Sequence, residues 1–504
     1  MENKSRHLLR VTRIIVAIVS ISLLTGLFVD YGMTFPRIAS WLAKVQFLPA
    51  TMAFSLGTFV VWLIITLCFG RIYCSVACPL GIFQDICARI PRMGKFTEGK
   101  RAYHFLPERR KLRNVSLFVV VVSIFLGISI ITSLLDPYSI YGRFCLDIVR
   151  PVWGWCLNLY SSIVGNPPVK IAVASALGTV VSVLTMAIVA VLAFRNGRTF
   201  CNTVCPVGTT LSYVSRYSVF RFDINTDKCI QCRKCENVCK SSCVDLTDHV
   251  VDMSRCVVCF DCLPVCPNDA IHYTYTRHQL SIPLMQRTRN PLAGSAASMD
   301  SGRRAFMIAA TLAAISPLAA KVKEGVGAAG LLHAGAKSGR NVVPVTPPGI
   351  RSRRQFLERC TSCGLCIAQC PQKVLVPSVD QYGLLRALHP VMDYDASWCL
   401  YDCTVCANLC PSGALRPLTV EEKHTTPIGL AHVDKDLCIS YADGEHCGRC
   451  SRKCPAVAIT MHAPDVSGKG PYPVVDLNKC IGCGACQNVC PASPEKAIVV
   501  SGIV

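Results

Sequence analysis

Cysteine spacing constrains this chain more than any other feature. Of its 33 cysteines, 24 fall into six runs of four and four into two C-x3-C-P pairs, leaving Cys68, Cys87, Cys145, Cys156 and Cys243 outside any run. Secreted disulfide scaffolds are short and irregularly spaced. Three thiolates at close intervals, followed by a fourth before proline, instead wrap a cubane iron–sulfur cluster. Cys229, Cys232, Cys235 and Cys239, followed by Cys256, Cys259, Cys262 and Cys266, form a C-x2-C-x2-C-x3-C run twice over, with proline after Cys266. In a two-cluster ferredoxin module the fourth cysteine of each run serves the other cluster. That rule assigns Cys229, Cys232, Cys235 and Cys266 to one [4Fe–4S] cluster, and Cys256, Cys259, Cys262 and Cys239 to its neighbour. Zinc sites use two pairs rather than a triplet plus one.

The C-terminal region repeats the pattern four times: Cys360, Cys363, Cys366, Cys370; Cys399, Cys403, Cys406, Cys410; Cys438, Cys447, Cys450, Cys454; and Cys480, Cys483, Cys486, Cys490. Each quartet ends in Cys-Pro, where proline turns the chain away. These residues predict four more cubanes, six in all, with a three-iron cluster as the alternative at the irregular second or third quartet. Spacing leaves open whether first pairs with last or neighbour with neighbour. The two C-x3-C-P pairs, Cys74/Cys78 and Cys201/Cys205, follow Arg71-Ile72-Tyr73 and Arg198-Thr199-Phe200, as in an internal repeat. Brought together they would offer four thiolates to a metal, or a reversible dithiol; the plainer reading is a structural turn. The five remaining cysteines are expected to be small buried apolar residues.

The chain is 504 residues long, 51% hydrophobic and +0.40 in mean hydropathy, too apolar for a soluble enzyme of this size. Apolar stretches at 11–28, 51–69, 115–134 and 169–194 are each long enough for a bilayer crossing. The net charge of +21 is uneven: residues 351–504 carry 15 Lys/Arg against 14 Asp/Glu, so the excess lies with the apolar half. Cytoplasmic loops gather such charge, which excludes nucleic acid as the explanation. Loop 70–114 has ten Lys/Arg, whereas 29–50 and 135–168 have two each, placing the N-terminus, loop 70–114 and the first ferredoxin segment in the cytoplasm.

The expected fold is an α-helical domain of four transmembrane helices in a bacterial inner membrane, joined to α+β bacterial-ferredoxin-like domains. Its parts are residues 1–215, with membrane lipid as partner and both C-x3-C-P motifs; 216–276, a two-cluster ferredoxin; 277–350, a linker; and 351–504, a four-cluster domain. Within the linker, Ser301-Gly302-Arg303-Arg304-Ala305-Phe306-Met307 opens an apolar run, 305–320, resembling a twin-arginine export signal. As a fifth span it would place 351–504 in the periplasm. The alternative is a linker helix, since sixteen residues reach only ~24 Å and Pro317 interrupts them.

Together these residues resemble two subunits of periplasmic nitrate reductase systems. Residues 1–275 resemble the membrane quinol dehydrogenase of the NapH type, whose features are shared by nitrous-oxide-reductase regulators and a copper-reducing assembly protein. Residues 301–504, with Pro347-Pro348-Gly349 and Phe356-Leu357 before the first quartet, look like the iron–sulfur subunit of the NapG or MauM type. The resemblance implies a fusion that takes electrons from quinol, menaquinol foremost, and passes them to a redox partner outside the cytoplasm, a cytochrome or a molybdenum reductase. Asp136, Tyr138, Arg143 and Asp147, beyond the third span, are the candidate quinol contacts; an ordinary interfacial loop is the alternative. No C-x-x-C-H occurs and no G-x-G-x-x-G follows a strand-like run, so neither covalent haem nor a bound dinucleotide is expected. Rival readings are a metal or disulfide reductase serving metalloenzyme maturation through the C-x3-C-P thiols, and a redox-sensing membrane scaffold.

Overall fold

A computed structural model describes residues 2–32, 34–93, 103–169, 171, 175–275, 343–464 and 469–503. The apolar run 305–320, the arginines ahead of it and most of the linker lie outside these residues.

The chain opens with α1 (Glu2–Val29), followed by α2 (Thr34–Lys44), α3 (Phe47–Met52), α4 (Leu56–Phe69), α5 (Tyr73–Val76) and α6 (Pro79–Met93). After the next gap come α7 (Arg110–Phe125), α8 (Ser129–Leu135), α9 (Pro137–Phe144), a π-helical turn Cys145–Val149, α10 (Arg150–Val164), α11 (Ala176–Asn196), α12 (Thr199–Thr203) and α13 (Pro206–Ser215). Among the described residues, Arg6–Val29 and Ala176–Asn196 are long and apolar enough to cross a membrane, and α4 is a shorter apolar helix.

Apolar stretches 51–69 and 115–134 depart from the expected continuous helices, each interrupted by the same device. At α7, Ile128 N–H reaches Ser123 O at 2.8 Å and Gly127 N–H reaches Ile124 O at 3.2 Å, with Gly127 left-handed at φ 68°. At α3, Ser55 N–H reaches Ala50 O and Phe54 N–H reaches Thr51 O, both at 3.0 Å, with Phe54 at φ 54°. Both are Schellman terminations, which satisfy the last carbonyls and redirect the chain. The resulting α4 and α7, of 14 and 16 residues, reach about 21 and 24 Å, short of the ~30 Å hydrocarbon core. The outward faces of α4, α7 and α10 are nonetheless apolar: Leu56, Val61, Ile64, Phe118, Phe125, Trp155, Leu159 and Ile163 are all exposed.

Strands β1 (Phe220–Ile224), β2 (Val244–Asp245), β3 (Val250–Val251) and β4 (Ile271–Tyr275) follow. β1 pairs antiparallel with β4, Phe220 opposite Tyr275 through Ile224 opposite Ile271, and encloses the β2–β3 hairpin. After the linker, β5 (Leu375–Pro377) pairs with β6 (Pro390–Met392). Then β7 (Gly429–Val433), β8 (Ile459–His462), β9 (Tyr472–Val475) and β10 (Ile498–Gly502) repeat the earlier plan, β7 against β10 around the β8–β9 hairpin. Each hairpin separates one cysteine quartet from the next, and that placement folds the second quartet back against the first.

Residues 1–275 and 342–504 form one packed unit, and α1 is its axis. At its start Arg6 pairs with Asp269, Arg10 with Asp261 at 2.9 Å and Arg13 with Asp85. At its far end the Gln369 side chain donates to Leu27 O, while the Cys363 carbonyl lies against Gly142, where a Cβ would approach to 2.5 Å. The two ferredoxin regions therefore dock at opposite ends of α1. A single apolar core runs between them, from Val257 through Leu80, Leu24 and Tyr138 to Leu365 and Leu409.

Candidate functional site

Four of the six cysteine runs share one backbone geometry. In the runs opening at Cys229, Cys256, Cys360 and Cys480, the residues two and four places after the first cysteine are left-handed: Gln231 and Arg233, Val258 and Phe260, Ser362 and Gly364, Gly482 and Gly484. Positive φ at a β-branched residue such as Val258 is costly and persists only where the surroundings impose it. Alternating right- and left-handed residues turns successive N–H groups inward, a concavity suited to anionic iron–sulfur centres. The Ser362 amide donates to Cys360 Sγ at 3.4 Å, and the Ala270 and Ala458 amides to Cys266 and Cys454 Sγ at 3.2 and 3.3 Å.

Four apolar hollows of roughly 320–400 Å³ show which cysteines face one another. One is lined by Cys229, Cys232, Cys235 and Cys266; a second by Cys370, Cys399, Cys403 and Cys406; a third by Cys438, Cys447, Cys450 and Cys490; a fourth by Cys454, Cys480, Cys483 and Cys486. Cys360, Cys363 and Cys366 fall within electrostatic reach of Cys410, and Cys256 and Cys262 within reach of Cys239. Exchange of the fourth cysteine thus runs neighbour with neighbour, the alternative that spacing left open. Among the described residues, no three His, Cys, Asp or Glu side chains converge on a point as around a single metal ion. Each set frames a wider volume, which suits a polynuclear cluster.

Two contributors escaped the reading of the sequence. Lys423, buried, sends Nζ to Cys399 Sγ at 3.4 Å and to the carbonyls of Cys403, at 2.6 Å, and Leu400. It sets a cation beside the C-x3-C quartet, where the left-handed pair is missing. Cys243 is no bystander: its Sγ lies 3.5 Å from Cys239 Sγ and it neighbours Cys256. The four-residue offset from Cys239 was the available signal. Of the other unassigned cysteines, Cys87 and Cys145 are buried and Cys68 is partly so; Cys156 is exposed, contrary to expectation, on the outward face of α10.

The quinol candidates cluster beside the C-terminal ferredoxin region, near Cys363. Asp136 caps α9, accepting from the Tyr138 and Ser139 amides at 3.3 and 3.0 Å and from Ser139 Oγ at 2.6 Å. Burial outweighs these bonds and pushes its carboxyl up to about 6. Tyr138, fully buried, has a hydroxyl without a hydrogen-bond partner and lies within electrostatic reach of Cys363 and Cys410. Arg143 donates to Ser133 Oγ and O, at 2.5 and 3.0 Å, and Asp147 accepts from Ser182. Cys74, Cys78, Cys201 and Cys205, all buried, lie within electrostatic reach of one another.

The fold and its thiol sets define an iron–sulfur electron-transfer protein of the ferredoxin type. The family described as "4Fe-4S dicluster domain" matches residues 359–414 and 445–493, and two described as "4Fe-4S binding domain" match 51–96 with 177–225 and 226–245. The ferredoxin-type protein NapG of Escherichia coli is 32% identical over 155 residues, 29% of this chain and 66% of NapG. The methylamine utilization ferredoxin-type protein MauM of Methylobacillus flagellatus is 32% identical over 160 residues, 31% of this chain and 66% of that protein. The ferredoxin-type protein NapF of E. coli is 31% identical over 149 residues, 30% of this chain and 81% of NapF. No solved structure matches. The chain belongs, through this iron–sulfur portion, to the family of ferredoxin-type proteins that includes NapF, NapG and MauM.

Proposed function

We propose that this chain withdraws electrons from a membrane quinol of the menaquinol class and delivers them to a redox protein outside the cytoplasm, a cytochrome or a molybdenum reductase. The likeness of the iron–sulfur portion to ferredoxin-type proteins, among them NapG, NapF and one named for methylamine utilization, supports the electron-carrying part of this reading. In this reading all 24 quartet cysteines are ligands, holding six [4Fe–4S] clusters in the sets described above. Each cubane, when bound, accepts and releases one electron at a potential within roughly −700 to +450 mV.

The observation that carries the proposal is the docking of the two ferredoxin regions at opposite ends of α1. From Arg10 to Leu27 the helix rises about 26 Å, close to the thickness of a hydrocarbon core. Four crossings, with 51–69 and 115–134 spanning as helix pairs and the exposed apolar side chains facing lipid, put the inner ferredoxin in the cytoplasm. In this reading residues 351–504 lie in the periplasm. A quinol head bound at the outer side meets Asp136, Tyr138, Arg143 and Asp147. The free Tyr138 hydroxyl offers a hydrogen bond to a quinol oxygen, and Asp136, titrating near neutrality, takes a proton as electrons leave.

The test is anaerobic addition of a reduced menaquinol analogue to the oxidised full-length protein, followed by visible bleaching and low-temperature EPR. Rapid reduction of several clusters is expected. Clusters that stay oxidised under quinol yet are reduced by dithionite would refute the quinol step. A reporter after Val504 active in the cytoplasm would refute the outward placement.

A further inference from the structure

Of the 24 quartet cysteines Cys232 alone is exposed; the others are buried or partly buried. Cys232 shares its hollow with Cys229, Cys235 and Cys266, and Lys228, Ile230 and Arg233 complete one wall. These three side chains are themselves exposed, Ile230 at 61%, so the wall of the site is also molecular surface. Every residue of the segment 225–234 is exposed except Cys229, which is partly so.

The neighbouring thiol set is placed differently. Cys256 is buried, Val257 and Val258 are fully so, and Val257 and Cys259 pack into the apolar core that runs along α1. The N-terminal ferredoxin region is therefore graded, with one thiol set against the helices and the other at the surface. Charge is graded with it. Arg6, Arg10, Lys240 and Arg255 are taken up by Asp269, Asp261 and Asp252. Lys228, Arg233 and Lys234 instead stand exposed around Cys232. Against them are Asp227 in the same segment and Asp248 on the hairpin turn, where His249 Nε2 lies 3.5 Å from Gln231 Nε2. The face is on balance positive, with an exposed isoleucine at its centre.

We infer that the surface formed by Lys228, Ile230, Cys232, Arg233 and Lys234 is the docking face for a soluble, acidic one-electron carrier protein, which exchanges electrons with the cluster held by Cys229, Cys232, Cys235 and Cys266. The carrier gives one electron to that cluster or takes one from it, and no bond forms or breaks. The set of Cys256, Cys259, Cys262 and Cys239 relays the electron between this cluster and the helical region. Quinol contacts beside Cys363 and an acceptor for the C-terminal quartets would leave the N-terminal clusters, at the other end of α1, with nothing to serve. A carrier at Cys232 gives them a partner. A small face of this kind suits the small-area encounters of electron-transfer proteins, in which charge steers the approach. The inference rests on cluster ligation by the quartets and not on quinol as the donor.

The test uses anaerobically purified full-length protein, with an acidic flavodoxin as the carrier and basic cytochrome c beside it. Reduced flavodoxin is mixed with the oxidised protein and the clusters are followed by rapid-freeze EPR. The second-order rate should fall as sodium chloride rises from roughly 0.02 to 0.5 M, because salt screens the steering charges. The Lys228→Glu/Arg233→Glu/Lys234→Glu variant, with iron per chain unchanged, should react about ten- to a hundredfold more slowly at low salt and match the wild type at high salt. Titration calorimetry with oxidised flavodoxin should show the same loss as weaker binding, with no electron moved. Should the triple variant lose iron, Lys234→Glu, whose side chain does not line the hollow, carries the comparison and should slow the reaction about three- to tenfold. No binding of flavodoxin, a rate indifferent to salt, a charge-reversed variant as fast as wild type at low salt, or tighter binding of cytochrome c than of flavodoxin overturns the inference.

Discussion

Replacing Asp85 by asparagine should destabilise the protein by about 3–5 kcal/mol, because it removes a negative charge that three buried cations share. Asp85 accepts from Arg198 Nε at 2.7 Å and Lys240 Nζ at 2.9 Å and pairs with Arg13; all four side chains are less than a tenth exposed. Burial opposes ionisation, but Arg198, Lys240 and Arg13 overcome it and hold the carboxyl far below its usual range. The amide keeps the shape and removes the charge. Lys240 retains Asp261 at 3.0 Å, whereas Arg13 and Arg198 already carry unpartnered nitrogens. Loss at the middle to upper end of the range follows. At roughly 2 °C per kcal/mol for a large domain, the thermal midpoint in detergent should fall by about 6–10 °C. The control is Arg354→Gln, which breaks an exposed pair to Glu358 at 2.8 Å and should leave the midpoint essentially where it is. Because the folded carboxyl is depressed, its stabilisation is present above the unfolded value near pH 4 and disappears as pH falls through the folded value. The wild type should therefore lose this contribution only in acid below about pH 4, and the Asn variant should lack that loss. A midpoint within 2 °C of wild type would refute the claim that Asp85 is the keystone joining α1, the second repeat and the inner ferredoxin.

Asp136 carries the opposite sign: its carboxyl is raised to about 6, so its contribution is full below about pH 4 and is lost as pH climbs to about 6, by ~3 kcal/mol. Asp136→Asn, which preserves an N-cap, should flatten the stability profile over that window, and an unchanged slope would contradict the reading. Removing the cation at the second C-terminal quartet, Lys423→Met, should lower one cluster's midpoint potential by roughly 65–130 mV, the one-electron equivalent of a charge-assisted bond of ~1.5–3 kcal/mol. Redox titration followed by EPR checks this, and a rise would count against it. Pairing predicts that Cys454→Ser and Cys480→Ser abolish the same EPR signal and that Cys438→Ser abolishes another; coincidence of the Cys454 and Cys438 losses would reverse the assignment. Cys243→Ser should leave cluster number unchanged, measured as iron per chain, in contrast to Cys239→Ser.

What was legible from residue order alone was everything encoded within about ten residues. A C-x2-C-x2-C-x3-C-P run dictates its own loop, and the matching left-handed residues at Gln231, Val258, Ser362 and Gly482 show one local solution reached four times. The ferredoxin character, the doubled C-x3-C-P segments and the apolar first and fourth stretches were all readable on these terms. The helix interruptions were less so. Gly127 was a visible stop signal, but nothing about Phe54 announces a left-handed residue, because the termination there is set by hydrogen bonds to Ala50 and Thr51.

Contacts between distant residues belonged to the tertiary structure. Cys370 faces Cys399 because the β5–β6 hairpin returns the chain, and Cys454 faces Cys480 because β8–β9 does the same. Lys423 reaches Cys399 across 24 positions, and Gln84 reaches Cys201 across 117. Spacing cannot specify such pairs, since loop closure is set by packing and hydrogen bonding elsewhere and costs only slowly more with length. The sequence by itself determined which residues could bind clusters; the packing of α1, the two repeats and the hairpins decided which of them share one.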